Sequence, residues 1–384
     1  MNRKVTILLS GMIAGDPWQG GATWAVLQYL LGLQQLGHEV YFVEPISPKS
    51  LRPGGSDLAD SENARYFSEV TREFGLESTS ALLLAGTKQT VGLSYQGLQK
   101  AAQRAALLLN ISGLLTDENL FSPAPIRVYL DLDPAFNQLW SAVQGLNMRF
   151  EGHTHFVTIG QSIGESDCSI PTCGLTWLKT FQPIVLNQWP ATNHAKSFAL
   201  TTVGNWRGYG SIDYQDVFYG QKAHSLRHFL VLPTLTDESF RLALAIHPTE
   251  IADLTALATH RWEIVDPGEV AATPSSYRHF IQNSKAEFGV AKSGYVRSRC
   301  GWFSDRSICY LASGRPVLAQ ETGFSRYLPT GAGLFPFETV DDILDALEHV
   351  NGDYSWHCRI ARRLAEEHFQ SDKVLGRLLE QVGI

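Results

Sequence analysis

The first apolar run, Val5-Thr6-Ile7-Leu8-Leu9, is short and stops at Ser10-Gly11, which suits a buried strand. A glycine-rich loop follows over residues 11–21 and contains Asp16-Pro17-Trp18-Gln19-Gly20-Gly21. From residue 22 to 36 apolar positions recur at helical spacing, and Gly37 stops the helix. His38 to Val43 then reads as a second strand. Strand, loop, helix and strand make a βαβ opening with a parallel sheet.

The alternation persists. Prolines and glycines over 46–64 predict a surface loop, with helices expected over 62–74 and 99–109. Residues 126–130 form a strand pattern ending in Asp131-Leu132-Asp133-Pro134, and 156–160 form another. The stretch Gly174 to Pro190, with Pro183 and Pro190, reads as a linker between domains. Beyond it, strands are expected at 199–203, 243–247, 262–265 and 286–291. Helices are expected at 223–229, 251–259, 277–283, 340–349 and 355–382. The fold class is α/β, with two Rossmann-like, doubly wound domains facing a cleft. Their expected bounds are 1–185 and 186–355, with a terminal helix, 356–384, crossing back to the first domain.

One stretch points to chemistry. In Cys300-Gly301-Trp302-Phe303-Ser304-Asp305-Arg306-Ser307, Ser304 is placed to cap an apolar helix that Gly314 ends, and Pro316 to Ala319 reads as a buried strand. The first turn offers free N–H groups and the positive end of the helix dipole, with Asp305 and Arg306 beside them. A phosphate-bearing ligand suits such a turn. A capped helix in any α/β domain reads the same way.

Composition narrows the field. At 384 residues the chain can bury two cores. The net charge of −7 is spread without acidic or basic runs, so neither nucleic acid nor a polybasic membrane surface is expected; small molecules are. The five cysteines (168, 173, 300, 309 and 358) are odd in number and lack Cys-x2-Cys spacing, which argues against a disulfide framework and a zinc site. A reducing, cytoplasmic setting is expected. Asn2-Arg3-Lys4 ahead of the first apolar run is superficially like a signal peptide, but the run breaks at Ser10-Gly11. No stretch reaches the roughly 18 apolar residues of a membrane helix, so no transmembrane segment is expected. The first loop lacks Gly-x-Gly-x-x-Gly, so no hydride-transfer cofactor is indicated.

Three acids are candidates for catalysis: Asp16 in the first loop, and Asp131 and Asp133 at a strand end. Two residues apart on an extended strand, Asp131 and Asp133 would share a side. His153 and His155 have the same spacing and read more simply as packed or loop-facing residues.

Gly20-Gly21, the Leu-rich helix and Leu36-Gly37-His38-Glu39-Val40 resemble the opening of GT-B glycosyltransferases. The second half resembles their donor domain at Val203-Gly204-Asn205-Trp206, Trp262-Glu263-Ile264-Val265, Ser304 to Ser307 with Ala312-Ser313-Gly314-Arg315-Pro316-Val317, and Gln320-Glu321-Thr322-Gly323. The Trp302-Phe303-Ser304-Asp305-Arg306-Ser307 element is similar to the CgeB-like branch. Many retaining members carry Glu-x7-Glu here; this chain has Gly301 and Cys309 at those positions. The resemblance implies transfer of a sugar from a nucleoside-diphosphate sugar to an acceptor hydroxyl, without a metal or other cofactor. It implies diphosphate contacts at Gly20, Gly21, Lys222 and the Ser304-Asp305-Arg306-Ser307 turn, and donor contacts at the Gly204-Asn205 turn. It implies base contacts at Trp262 and Val265, and sugar or phosphate contacts at Glu321, Thr322 and Gly323. The Asp131-x-Asp133 spacing is similar to the cation-holding pair of GT-A enzymes, an arrangement that does not fit two successive α/β halves. A nucleotide-sugar epimerase of the same fold, or a non-catalytic nucleotide-sugar-binding subunit, also fits these motifs.

Overall fold

The strand expected at the start of the chain, Thr6–Ser10 (β1), lies at the centre of an eight-stranded sheet in the computed structural model, which describes residues 4–192 and 199–384. Asn2 and Arg3 lie outside the described residues. The other strands of this sheet are β2 (Glu39–Ile46), β3 (Ser80–Leu84), β4 (Thr90–Gly92), β5 (Ala105–Ile111), β6 (Ile126–Asp131), β7 (His155–Thr158) and β8 (Trp177–Lys179). Their order is β4-β3-β2-β1-β5-β6-β7-β8, parallel except at the β3–β4 edge. β1 pairs in register with β2, Thr6 opposite Glu39, and with β5 on its other side, Leu8 opposite Leu108.

The second half repeats the plan. β9 (Ala199–Asn205) is followed by a small hairpin, β10 (Ile212–Tyr214) and β11 (Val217–Tyr219). Then come β12 (Ser239–Ala245), β13 (Glu263–Val265), β14 (Ala286–Gly289), β15 (Val317–Gln320) and β16 (Leu334–Phe337). The sheet order β13-β12-β9-β14-β15-β16 is wholly parallel. In both sheets the order reverses beside the first strand, at β1/β5 and β9/β14. Ligands of doubly wound sheets bind outside the carboxyl ends of such strands.

Three local expectations give way. The expected 99–109 helix ends at Arg104, and Ala105–Ile111 is strand β5 instead. Residues 107–111 are all buried, and the apolar run Leu107-Leu108-Leu109 has no period that separates strand from helix. Trp177–Lys179 joins the first sheet as its edge, so the connection begins after it. The 355–382 helix is interrupted: Tyr354–Leu364 runs into a π-helical turn, Ala365–Phe369, before Ser371–Gln381. At the break Ile184 N–H donates to Phe369 O and Ser371 N–H donates to Ile184 O, which draws those groups out of the helical ladder.

The final helix packs on the Gly20–Gln35 helix, and one core joins the halves. A Cβ on Gly32 would stand 2.6 Å from Leu375. Trp24 lies 5.0 Å from Trp189, ring to ring, and its indole N–H donates 2.8 Å to Pro274 O.

Candidate functional site

Between the carboxyl ends of the two sheets lies a cleft with two chambers, of about 490 and 550 Å³. They share Ala22, Gly204, Asn205, Asp305 and Arg306, which makes Asp305–Arg306 the divide between them.

Arg306 is fixed by both strands of the second switch point. Its Nε donates 2.6 Å to Glu287 on β14, and Nη1 donates 3.0 Å to Val203 O on β9. Glu287 is fully buried and its second oxygen has no partner. The Asp305–Ala312 helix starts here because Ser304 is extended and its hydroxyl accepts from Arg306 N–H at 3.2 Å. Asp305 faces both chambers, and burial raises its pKa against the pull of Arg306.

Lys222 reaches the same point from the start of the Lys222–Leu226 helix. Its ammonium is buried and donates 2.6 Å to Val290 O. Burial, and then the like charge of Arg306, hold its pKa well below the ordinary lysine value, with Glu287 opposing. Gly204 makes room for it: a Cβ there would sit 3.1 Å from Lys222 Cε. Gly204 and Asn205 end β9 and line both chambers, as expected of a glycine turn.

Several expected donor contacts are turned elsewhere. Trp262 is buried against Phe240 and Phe288, and its indole N–H is taken by Leu230 O, so it is a core residue. Val265 ends β13, while the chamber wall is formed by Asp266, Pro267 and Gly268 just beyond it. Ser307 is buried in its helix and lines neither chamber. Glu321 folds back to accept from Gly323 N–H, and Thr322 donates to Trp302 O; this loop lies outside the chamber walls and braces Trp302, which lines the 550 Å³ chamber. Gly20 and Gly21 do line the 490 Å³ chamber, but their missing side chains serve packing across the halves. A Cβ on Gly20 would stand 2.4 Å from Thr273 O, and one on Gly21 2.8 Å from the Tyr277 ring.

The three acids separate. Asp16 is half exposed and paired with Arg52 at 2.6 Å, on the rim. Asp131 is sealed: its oxygens accept from Asn137, Gln138, Thr158 and the Asp133 amide, and burial raises its pKa. β6 ends at Asp131, so Asp133 has left the strand and points into the 550 Å³ chamber. There it meets Tyr209, Lys292 and Tyr295. The two aspartates do not converge on one point. Among the described residues no group of three His, Cys, Asp or Glu side chains is arranged to hold a metal. His153 lies by the opposite, amino end of the first sheet, between Asn110 and Phe150 O, and His155 bonds Thr154.

Sequence reasoning passed over Tyr209, Lys292, Tyr295 and Glu287. Two carried a signal: Tyr209 sits in Gly208-Tyr209-Gly210 just after β9, and Lys292 lies just past β14, on the loop at its carboxyl end.

No protein-family model and no curated protein matches this sequence. By structure the chain is similar to an alpha-glucosyltransferase solved with UDP-glucose and DNA containing an abasic site, at TM-score 0.62 and 12% identity over 99% of each chain. It is also similar to Anabaena HepE solved with UDP-glucose, at TM-score 0.58 and 10% identity over 98% of each chain. The fold is GT-B. In this GT-B chain the helix start at Asp305, the Arg306 guanidinium and the Lys222 ammonium meet at the mouth of the second domain's central strands. Among the described residues no helix is long and apolar enough to cross a membrane.

Proposed function

We propose that this chain transfers a hexosyl group from a nucleoside-diphosphate sugar to an acceptor hydroxyl. The observation that carries the reading is Lys222, a buried amine with no carboxylate partner among the described residues, beside Arg306 and a helix N-terminus in a two-chamber cleft. A buried cation without an acid is costly by itself, and a diphosphate supplies the charge it lacks. The 490 Å³ chamber, walled by Trp18, Asp266 and Tyr277, then takes the nucleoside, and the 550 Å³ chamber takes the sugar and acceptor.

In the reaction the bond from the anomeric carbon to the diphosphate oxygen breaks, and its electron pair leaves with the nucleoside diphosphate. Lys222, Arg306 and the N–H groups at Asp305 are placed to hold that growing charge, in place of a resident metal or cofactor. The acceptor we infer is a small molecule or glycan and not nucleic acid, because the net charge of −7 opposes a phosphate backbone. The five free thiols suit a reducing, cytoplasmic setting.

The test is to incubate the protein with a panel of nucleotide sugars and follow nucleoside diphosphate and sugar by mass spectrometry. Release from one donor, accelerated by an acceptor and lost in Lys222→Met, is expected. An altered donor sugar without nucleotide release would mark an epimerase, and binding without turnover a non-catalytic subunit.

A further inference from the structure

Asp133 stands just past β6 of the first sheet, yet among the described residues every side chain that donates to it comes from the second half. Tyr209, from the loop after β9, donates to Oδ2; Tyr295 donates to Oδ1; the Lys292 ammonium is 3.5 Å from Oδ1. Lys292 lies 3.9 Å over the Tyr209 ring and also donates to its hydroxyl. Burial lowers the Lys292 pKa, and Asp133 opposes that fall, so the amine's charge depends on the carboxylate of the other half. Tyr295 is held in turn by stacking on Trp302, 4.1 Å between ring centres.

A carboxylate offers about four lone-pair positions, so these donors orient both oxygens and leave one position open. The Asp133 side chain is 24% exposed and lines the chamber that also holds Lys222 and Arg306. Asp131, the neighbouring acid, has no such opening.

We propose that Asp133 is the base for the acceptor hydroxyl, and that Tyr209, Lys292 and Tyr295 are its positioning residues, so that the reacting centre is complete only when the two halves meet. This rests on the glycosyl-transfer reading above. As the acceptor oxygen bonds to the anomeric carbon, its proton passes to the open position on Asp133, and the nucleoside diphosphate departs with the electron pair of the broken bond. Lys222, Arg306 and Gly268 all belong to the second half, so donor binding does not need Asp133. Proton removal does.

The test uses the full chain with UDP-glucose and UDP as probes, reading UDP affinity by calorimetry and UDP release with water as acceptor. Asp133→Asn is expected to slow release by about 100-fold, and Lys292→Met and Tyr209→Phe by about 10-fold each. The UDP dissociation constant should stay within about threefold in all of them. The double variant Asp133→Asn/Lys292→Met should be no slower than Asp133→Asn alone, because a positioning residue has nothing left to position. Additive losses, UDP affinity falling in step with the rate, or wild-type release by Asp133→Asn would each overturn the proposal. If the unaltered protein binds UDP but Asp133→Asn is fully active, only this assignment fails. If it binds and turns over no nucleotide sugar in the wider panel, the glycosyl-transfer reading fails and takes this one with it.

Discussion

Arg306 and Glu287 form a 2.6 Å ion pair at the second switch point, with the carboxylate fully buried and the guanidinium left facing the cleft. Glu287 aims the arginine and Val203 O locks its other nitrogen. Arg306→Met should therefore cost about 3–5 kcal/mol in denaturant unfolding, because it strands a buried carboxylate. Arg306→Met combined with Glu287→Met should regain most of that loss without regaining nucleotide binding.

At Gly20 the backbones of the two halves touch. The Gly20 N–H donates 3.1 Å to Ala271 O, and a Cβ would lie 2.6 Å from that same oxygen. Backbone atoms cannot swing aside as a side chain can. Gly20→Ala should lower stability by about 1–3 kcal/mol and widen the cleft, seen as a larger radius of gyration in X-ray scattering. An unchanged radius and melting temperature would show that the contact is loose.

Glu44 pins the loop between β1 and the glycine pair by accepting from Ile13 and Ala14 N–H at 2.8 and 2.9 Å, and from Gly15. Burial pushes its pKa from 4.5 to about 7, with those N–H groups opposing. The folded chain thus keeps a proton that the unfolded chain has already lost above about pH 4.5. Stability from this group is full below that pH and declines as pH rises to about 7, by roughly 3 kcal/mol across the window. Urea midpoints at pH 5 and 7.5 should fall more in the wild type than in Glu44→Gln.

Elements set by local pattern were legible: β1, the glycine stop at Gly37, the Ile251–Thr259 helix and the Ser304 cap all follow from neighbouring residues. What escaped depends on residues far away in the chain. Gly20 and Gly21 read as a phosphate approach because nothing near them reveals Thr273 and Tyr277 pressing from the other half. Trp262, to which the resemblance gives a base contact, is a core residue because Phe240 and Phe288 close on it from elsewhere in the chain. Asp131 and Asp133 would share a face on a longer strand, but β6 ends between them. Lys292 and Tyr209 gain meaning only from Asp133, a carboxylate of the opposite sheet.

The central claim is a diphosphate site built on a buried lysine that has no carboxylate in ion-pair contact among the described residues, and thermal unfolding with and without nucleotides tests it directly. One of UDP, GDP, dTDP, CDP or ADP, at about 100 times its dissociation constant and without added metal, should stabilise the protein by about 2.7 kcal/mol. Lys222→Met should abolish that gain while leaving the bare protein equally or more stable, since among the described residues the buried amine it removes is in no ion pair. No response to any of the five, or a full response retained in Lys222→Met, would contradict the account.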